Sequence, residues 1–298
     1  MIRALLPFDA AAVLYFYSKG PVNQAKPRDR LGKGQRGRPS FLPLPLGRRR
    51  CSLGFFHRGL IHGLVSARSC LGLGAWEIDQ LLFSEGQHEL GLDLLERLSQ
   101  ALEHLAVERL FLSLPANSPL LDLVTRAGFR RYLDESLFRF QGAKLAPSGP
   151  PDMLRPKSED DEYRLFQLYN AVVPTSVRIV EGLSFQQWRQ ARERVSKGEL
   201  VCEKDGHLCA WLRIRTDEGS GQLEILAQLD KPELSHLIQW SLALLDGQSP
   251  IFCLSADFQE QLQRLLTEQG FEQVAEYCRL VKQLTAPAHK LEFVPSQA

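Results

Sequence analysis

The sequence WEIDQLLFSEGQHELGLDLLERLSQALEHLA, residues 76–106, predicts a strand, a polar turn and an amphipathic helix in succession. Residues 76–83 are rich in β-prone side chains and are bounded by Gly74 and Ser84. From Glu89 onward, leucines and alanines recur at the spacing of one helix face. A helix that begins at this turn presents free backbone N–H groups and the positive end of its dipole. The turn is therefore a candidate anion-binding site.

The composition is that of a folded protein with one strongly basic segment. The chain has 298 residues, 44% of them hydrophobic, which is enough for one large domain or two of ordinary size. The net charge is only +1, but residues 19–50 hold ten Lys or Arg and a single acid, Asp29. This segment is predicted to be a solvated loop. Other interpretations are a lid, a CoA-phosphate site or a nucleic-acid site, although Phe41 is its only aromatic residue, which makes nucleic acid an unlikely partner.

Cysteine usage and hydropathy predict a cytoplasmic protein without a metal. The six cysteines are scattered, which is typical of free thiols in a reducing compartment. Cys202, His207 and Cys209 could converge on a metal ion, but no fourth ligand is evident, so no metal cofactor is expected. No apolar run approaches the ~20 residues of a membrane-spanning helix, so no membrane association is expected.

The order of predicted elements occurs twice along the chain. Glu224-Ile225 repeats Glu77-Ile78, and residues 265–271 repeat residues 123–129 around a Gly-Phe pair. Matches in one order favour a tandem duplication, with two domains that each have their own core. The predicted division is a first domain at 1–142, which contains the basic loop 19–50, a linker at 143–152, a second domain at 153–284 and a flexible tail at 285–298.

Strands joined by hairpins and flanked by helices indicate an α+β fold with a mixed sheet. The long strand, its turn and helix, the strand at 109–114, and Asn117 ahead of Gly128-Phe129 resemble the GNAT superfamily (GCN5-related N-acetyltransferases). The resemblance occurs twice and covers nearly the whole chain. It implies two tandem GNAT-like domains, each a mixed, mostly antiparallel sheet flanked by helices.

The resemblance also implies a co-substrate, acetyl-CoA or another acyl-CoA. In that family the backbone of the long central strand pairs with pantetheine, and a glycine-rich turn holds the pyrophosphate on main-chain N–H groups. The residues of this sequence at the corresponding positions are Leu81, Leu82, Phe83, Gly86, His88, Gly91, Leu92 and Asn117.

The turn departs from the family pattern, which predicts weakened binding of acyl-CoA. Glu89 stands where the first glycine belongs, and a carboxylate repels a phosphate. Replacing Glu89 with Gly is therefore predicted to strengthen acyl-CoA binding. The corresponding turn of the second copy, residues 229–236, has no glycine and is typical of a helix start capped by Asp230 or Ser235.

Candidate catalytic residues lie on the long strand. The resemblance implies acyl transfer from acyl-CoA to the amine of a small molecule or a protein, with Glu77 or Asp79 as the base. Alternation along the strand predicts that these two carboxylates share one face. In the alternative interpretation, Glu77 and Glu224 pair with Arg68 and Arg215 across their hairpins.

A second departure concerns the tyrosine that often acts as the acid in this family. Val124 and Leu266 occupy its positions, and neither can donate a proton. The sequence therefore leaves two functions open. One is an N-acyltransferase with weakened CoA motifs, and the other is a catalytically inactive GNAT-like binding or sensor module.

Overall fold

The structure is a computed structural model of the whole chain. It describes residues 1–28, 49–70, 74–84, 86–142, 149–151, 154–191, 198–217 and 219–284. The predicted tail and most of the basic loop and of the linker lie outside these residues. Within them, the helices are too short or too polar to cross a membrane.

The first half of the chain alternates strands and helices in the predicted order. Its elements are β1 (Ile2–Ala4), α1 (Ala10–Ser18), β2 (Arg50–His57), β3 (Leu60–Ser69), β4 (Ala75–Phe83), α2 (Leu90–Glu103), β5 (Arg109–Pro115), α3 (Leu121–Arg126) and β6 (Arg130–Phe140). The segment at residues 76–106 contains β4 and α2, and the leucines of α2 pack on the sheet. The strand, turn and helix predicted for this segment are confirmed.

The second half repeats this order and adds two short helices. Its elements are β7 (Leu154–Pro156), α4 (Asp161–Val172), α5 (Thr175–Glu181), α6 (Phe185–Ala191), β8 (Glu199–Lys204), β9 (His207–Asp217), β10 (Ser220–Ala227), α7 (Lys231–Leu244), β11 (Ile251–Ala256), α8 (Glu260–Glu268) and β12 (Glu272–Gln283). Helices α5 and α6 were not predicted. Glu77 and Glu224 lie on the equivalent strands β4 and β10.

All twelve strands belong to one sheet, in the order β1-β2-β3-β4-β5-β12-β6-β11-β10-β9-β8-β7. The last strand of each half is exchanged: β12 pairs with β5, and β6 pairs with β11. Of the described pairings, β4–β5 and β10–β11 are parallel and the others are antiparallel. The prediction of a mixed, mostly antiparallel α+β architecture is confirmed.

The exchanged strands complete the two hydrophobic cores. Cys278 and Leu280 of β12 belong to the core under α2, and Phe138 and Phe140 of β6 belong to the core under α7 and α8. Each core therefore contains residues of the other half of the chain. The two strands are buried differently: β6 buries roughly alternate residues, whereas β12, which lies between β5 and β6, buries Tyr277 to Val281 without a break.

Candidate functional site

The parallel strands β4 and β5 pair over only part of their length. Their register runs from Ala75 to Glu77, although both strands continue beyond it. One residue further on, a β-bulge leaves Asp79 as an extra residue opposite β3. The backbone groups of β4 that face β5 after this point therefore need other partners.

Residues 23–26 of the same chain supply those partners. The Leu81 N–H donates to Asn23 Oδ1 at 2.9 Å, and the Leu81 carbonyl accepts from the Gln24 N–H at 2.9 Å. Asn23 Nδ2 donates to the Asp79 carbonyl at 2.9 Å. On the other side, the Lys26 N–H donates to the Ser113 carbonyl of β5 at 2.9 Å. We call residues 22–28 the cleft segment, because they fill the cleft between β4 and β5.

The cleft segment corrects the prediction of a solvated loop at 19–50. Ala25 is 1% exposed and Pro27 is buried, so this part of the loop is packed into the protein. The basic composition was misleading because it averages over the whole loop, whereas the buried Ala25 and Pro27 lie in a short stretch with only two basic residues, Lys26 and Arg28.

The other predicted acyl-CoA residues lie around α2. The side chains of Leu81 and Phe83 are in the core under α2, and Leu82 packs against α1 on the opposite face. Leu92 packs against the edge of the α2 core. Asn117 is exposed in the turn after β5.

The turn before α2 is exposed, and its glycines have structural roles. Gly86 has φ +72°, a conformation that favours glycine. The exposed His88 ring lies 5.6 Å from that of Phe83. A Cβ at Gly91 would come within 3.1 Å of Phe83 and 3.2 Å of Leu123. Close packing of α2 on the sheet and on α3 is therefore sufficient to explain Gly91.

Glu77 and Asp79 are both buried and paired with arginines of neighbouring strands. Glu77 Oε2 lies 3.1 Å from Arg68 Nη2, and Asp79 Oδ2 lies 2.9 Å from Arg50 Nη2. The pairing of Glu77 with Arg68 is the alternative interpretation of the sequence, and it is confirmed. Asp79 is fully buried.

Glu224 is paired in the same way, but its partner is Arg213 rather than the predicted Arg215. The register of β9 and β10 places Arg213 directly opposite Glu224, whereas Arg215 faces Gln222. The sequence comparison missed this because Arg68 and Glu77 are closer in sequence than Arg213 and Glu224, so the offset that aligns the two glutamates does not align their arginines.

A central cavity lies where the two halves meet. Its volume is about 220 Å³, and residues of both halves line it, including Glu77 and Glu224. Helices α4, α5 and α6 contribute Leu165, Val177 and Trp188. The cleft segment contributes Arg28. The exchanged strands add Glu135 of β6 and Arg279 of β12, and Glu181 of α5 and Arg213 of β9 complete the charged wall.

A chain of buried hydrogen bonds crosses the cavity wall. Arg279 Nε donates to the Tyr132 hydroxyl at 3.3 Å, and that hydroxyl donates to Glu181 Oε1 at 3.2 Å. Tyr169 donates to Glu181 Oε2 at 3.4 Å. Burial raises the pKa of Tyr132 and of Tyr169 well above their usual range, so both remain neutral donors. Arg28 pairs with Glu135 beside this chain.

Sequence reasoning missed the cavity, although a signal for part of it exists. Arg279 is the single charge between the apolar residues 277–278 and 280–281, and it is 7% exposed. A lone charge inside an apolar strand marks a buried charge that needs a partner. Its partners lie more than a hundred residues away, so the site itself follows only from the fold.

The fold is similar to those of solved GNAT structures. No protein-family model matches the sequence, and no curated protein matches it. A GCN5-related N-acetyltransferase from Sphaerobacter thermophilus is similar in structure, with a TM-score of 0.61, 15% identity and 95% of each chain covered.

A second solved structure has the tandem arrangement. It is a tandem GNAT protein from the clavulanic acid biosynthesis pathway, with a TM-score of 0.55 and 13% identity over 96% of this chain and 98% of the other. At these identities the similarity shows the fold, and the chain therefore has the tandem GNAT fold.

Proposed function

We propose that this protein is a ligand-binding module on the tandem GNAT fold, which holds a small molecule in its central cavity and does not transfer acyl groups. The main supporting observation is the cleft segment. Asn23 and Gln24 occupy both hydrogen-bonding groups of Leu81, on the strand where the family resemblance implies pantetheine. An acyl-CoA does not fit this cleft while the segment is in place.

The second half offers no better site for acyl-CoA. Asp230 Oδ1 accepts from the Glu233 N–H at 3.0 Å, so the start of α7 is already capped by its own chain. Glu233 adds a carboxylate there and pairs with Lys204 at 2.7 Å. In the cleft between β10 and β11, the Ile225 carbonyl accepts from Gln259 Nε2 at 2.8 Å.

The acid–base groups also argue against acyl transfer. Glu77 lies between Arg68 and Arg279, and these ion pairs hold its carboxylate in place. Val124 and Leu266, at the two tyrosine positions, cannot protonate a thiolate. The cavity, in contrast, is a concave site with apolar walls and a few converging polar groups, as is usual for ligand sites.

A second candidate function is N-acyl transfer from acyl-CoA to an amine. The fold favours it, as does the partial pairing of β4 and β5, which leaves a cleft of the shape that an extended ligand would need. In this scheme Glu77 or Asp79 is the base, and the cleft segment leaves before acyl-CoA enters.

Calorimetric titration distinguishes the two functions. Acetyl-CoA and a longer acyl-CoA are titrated into the full-length protein and into the Glu89→Gly variant. We expect no binding to either protein, because the cleft segment remains in place when the repulsion from Glu89 is removed. Micromolar binding to the unmodified protein, or a clear gain in Glu89→Gly, would support acyl transfer and overturn the proposal.

A further inference from the structure

Three polar atoms in the cavity wall are buried without a hydrogen-bond partner within the described part of the chain. They are Glu135 Oε2, Arg28 Nε and Arg279 Nη1. Glu135 is 3% exposed and Arg279 is 7% exposed, so bulk water does not reach them readily. Buried polar atoms in folded proteins nearly always have a partner, so unpartnered atoms in a cavity wall indicate a ligand that supplies one.

The three atoms are of two kinds, and they lie close together. Glu135 Oε2 is an acceptor with a negative charge, whereas the two arginine nitrogens are donors with a positive charge. Arg28 already pairs with the other oxygen of Glu135. Arg279 lies on the neighbouring strand β12, two residues after Tyr277, which is directly opposite Glu135. A ligand that satisfies all three atoms needs a cationic donor and an anionic acceptor near each other.

The charges around the cavity also limit the net charge of the ligand. Arg28, Arg213 and Arg279 line it, together with four glutamates at positions 77, 135, 181 and 224. The lining therefore has one more glutamate than arginines. Arg68, which lies just outside the lining and pairs with Glu77, supplies the missing positive charge. The wall is therefore neutral as a whole. A ligand with a net charge would leave that charge uncompensated in a buried site, which is unfavourable.

The rest of the wall is apolar and sets the size of the ligand. Trp188, Leu165 and Val177 of the covering helices are each 5% exposed or less, and Phe111 faces them from β5. An apolar cavity of about 150 Å³ holds a benzene molecule, so 220 Å³ holds roughly ten non-hydrogen atoms. This is the size of a single amino acid.

We propose that the central cavity binds a small zwitterion, an amino acid with an apolar side chain. Its ammonium group donates to Glu135, its carboxylate accepts from Arg279 and Arg28, and its side chain packs on the apolar wall under α5 and α6. This inference rests on the proposed function, because it takes the cavity to be the ligand site.

A panel of matched ligands tests the proposal on the full-length protein. By calorimetry, L-leucine is compared with 3-methylbutylamine, which lacks the carboxylate, with 4-methylpentanoate, which lacks the ammonium group, and with 2-methylbutane, which lacks both. We expect L-leucine to bind at least tenfold more tightly than any analogue that carries one charge or none.

The outcomes separate the two proposals. Binding of a single-charge or uncharged analogue as tightly as L-leucine would overturn the zwitterion and leave a ligand-binding cavity. No binding by any member of the panel, or by a broad set of small fragments, would overturn both. Because the panel uses the unmodified protein, it decides the question even if a cavity variant does not fold.

Variants identify the residues that contact the ligand. Glu135→Gln is expected to weaken binding of L-leucine at least tenfold without weakening that of 4-methylpentanoate. Arg279→Gln is also expected to weaken binding of L-leucine at least tenfold, but without weakening that of 3-methylbutylamine. The matched control is Glu272→Gln, at an exposed ion pair with Arg139 elsewhere on β6 and β12, and it should leave binding unchanged. Amino acid binding that is equal in all three variants would place the ligand elsewhere and overturn the assignment.

Discussion

The connection between the first helix and the second strand has a different structure in each half of the molecule. In each half, the chain leaves the first helix and must return to the second strand of that half. In the first half this connection contributes the cleft segment, which hydrogen-bonds to β4 and β5. In the second half it forms α5 and α6, which lie over the central cavity. One connection therefore closes a cleft, and its counterpart covers the central cavity.

The comparison shows which parts of a duplicated fold can change without loss of the sheet. Each half keeps its parallel pair, with β4 beside β5 and β10 beside β11, and each keeps a buried arginine–glutamate pair on its hairpin. The two connections differ because a connection needs only to span its ends, so its residues are free to change.

The largest expected effect concerns the exchanged strands. Leu280 of β12 is 2% exposed and packs in the core of the first half. Leu280→Ala should lower the free energy of unfolding by about 2–5 kcal/mol, because it leaves a cavity. Hydrogen exchange should show the loss of protection in β5 and α2, although the substitution is at the other end of the sequence. Val274→Ala, at a 38% exposed position of the same strand, is the control. Loss of protection confined to α7 and α8 would contradict the exchange.

The two buried ion pairs should respond unequally. Glu77 lies between Arg68 and Arg279 and its side chain is 9% exposed, whereas that of Glu224 is 24% exposed and contacts Arg213. Glu77→Gln should cost about 3 kcal/mol, since it leaves buried arginines without their charge partner. Glu224→Gln should cost about 1.5 kcal/mol, because water reaches its site.

Urea unfolding measures both costs. The Arg68→Met/Glu77→Leu double variant is the control, because it removes the nearest pair together and should recover part of the loss. Equal losses of unfolding free energy for Glu77→Gln and Glu224→Gln would contradict the expected difference between the two ion pairs.

The part of the fold that the sequence predicts is the part with strong local periodicity. The strand and helix at 76–106, the duplication and the pairing of Glu77 with an arginine follow from spacing alone. The exchange of β6 and β12 does not, because nothing local in either strand says which one neighbours β5.

The candidate site was harder to predict for two physical reasons. Its charged wall joins Arg28, Glu135 and Arg279, whose separation along the chain hides their contact. The cleft segment is short and lies at the edge of a long basic region. The average composition of that region predicts a solvated loop, although Ala25 is buried and Asn23 hydrogen-bonds to β4.

A smaller effect is expected for the side chains that hydrogen-bond to β4 and to β10 in the two clefts. Asn23→Ala removes the partners of the Leu81 N–H and the Asp79 carbonyl inside a packed cleft, and should cost about 1–2 kcal/mol. Gln259→Ala removes the partner of the Ile225 carbonyl beside the cavity, where water can replace it, and should cost about 0.5 kcal/mol. Thermal unfolding measures both. Gln24→Ala, which loses only an exposed side-chain contact, is the control. A larger cost for Gln259→Ala would reverse the comparison.

The smallest expected effect is a pH dependence of stability that compares Asp9 with Asp161. Asp9 accepts hydrogen bonds from Arg3 and from the Leu6 N–H. Asp161, at the matching place in the second half, accepts them from Arg155 and the Ser158 N–H, and in addition from the Ser158 hydroxyl. The hydrogen bond from Arg3 lowers the pKa of Asp9, and that from Arg155 holds the pKa of Asp161 well below its usual range.

Because each folded-state pKa is lower than the unfolded value of about 3.9, each aspartate stabilises the protein above pH ~4. That stability is lost as the pH falls through the folded pKa, so it should persist to lower pH for Asp161. Asp9→Asn and Asp161→Asn should each cost about 1 kcal/mol near neutral pH, with the larger cost for Asp161. In melting curves from pH ~7 to pH ~2, the difference from the unmodified protein should shrink below pH ~4 and disappear last for Asp161. Asp160→Asn, which changes the exposed neighbouring carboxylate, is the control. A melting difference that stays constant over this range would mean that the arginine pairs do not set the titration of either aspartate.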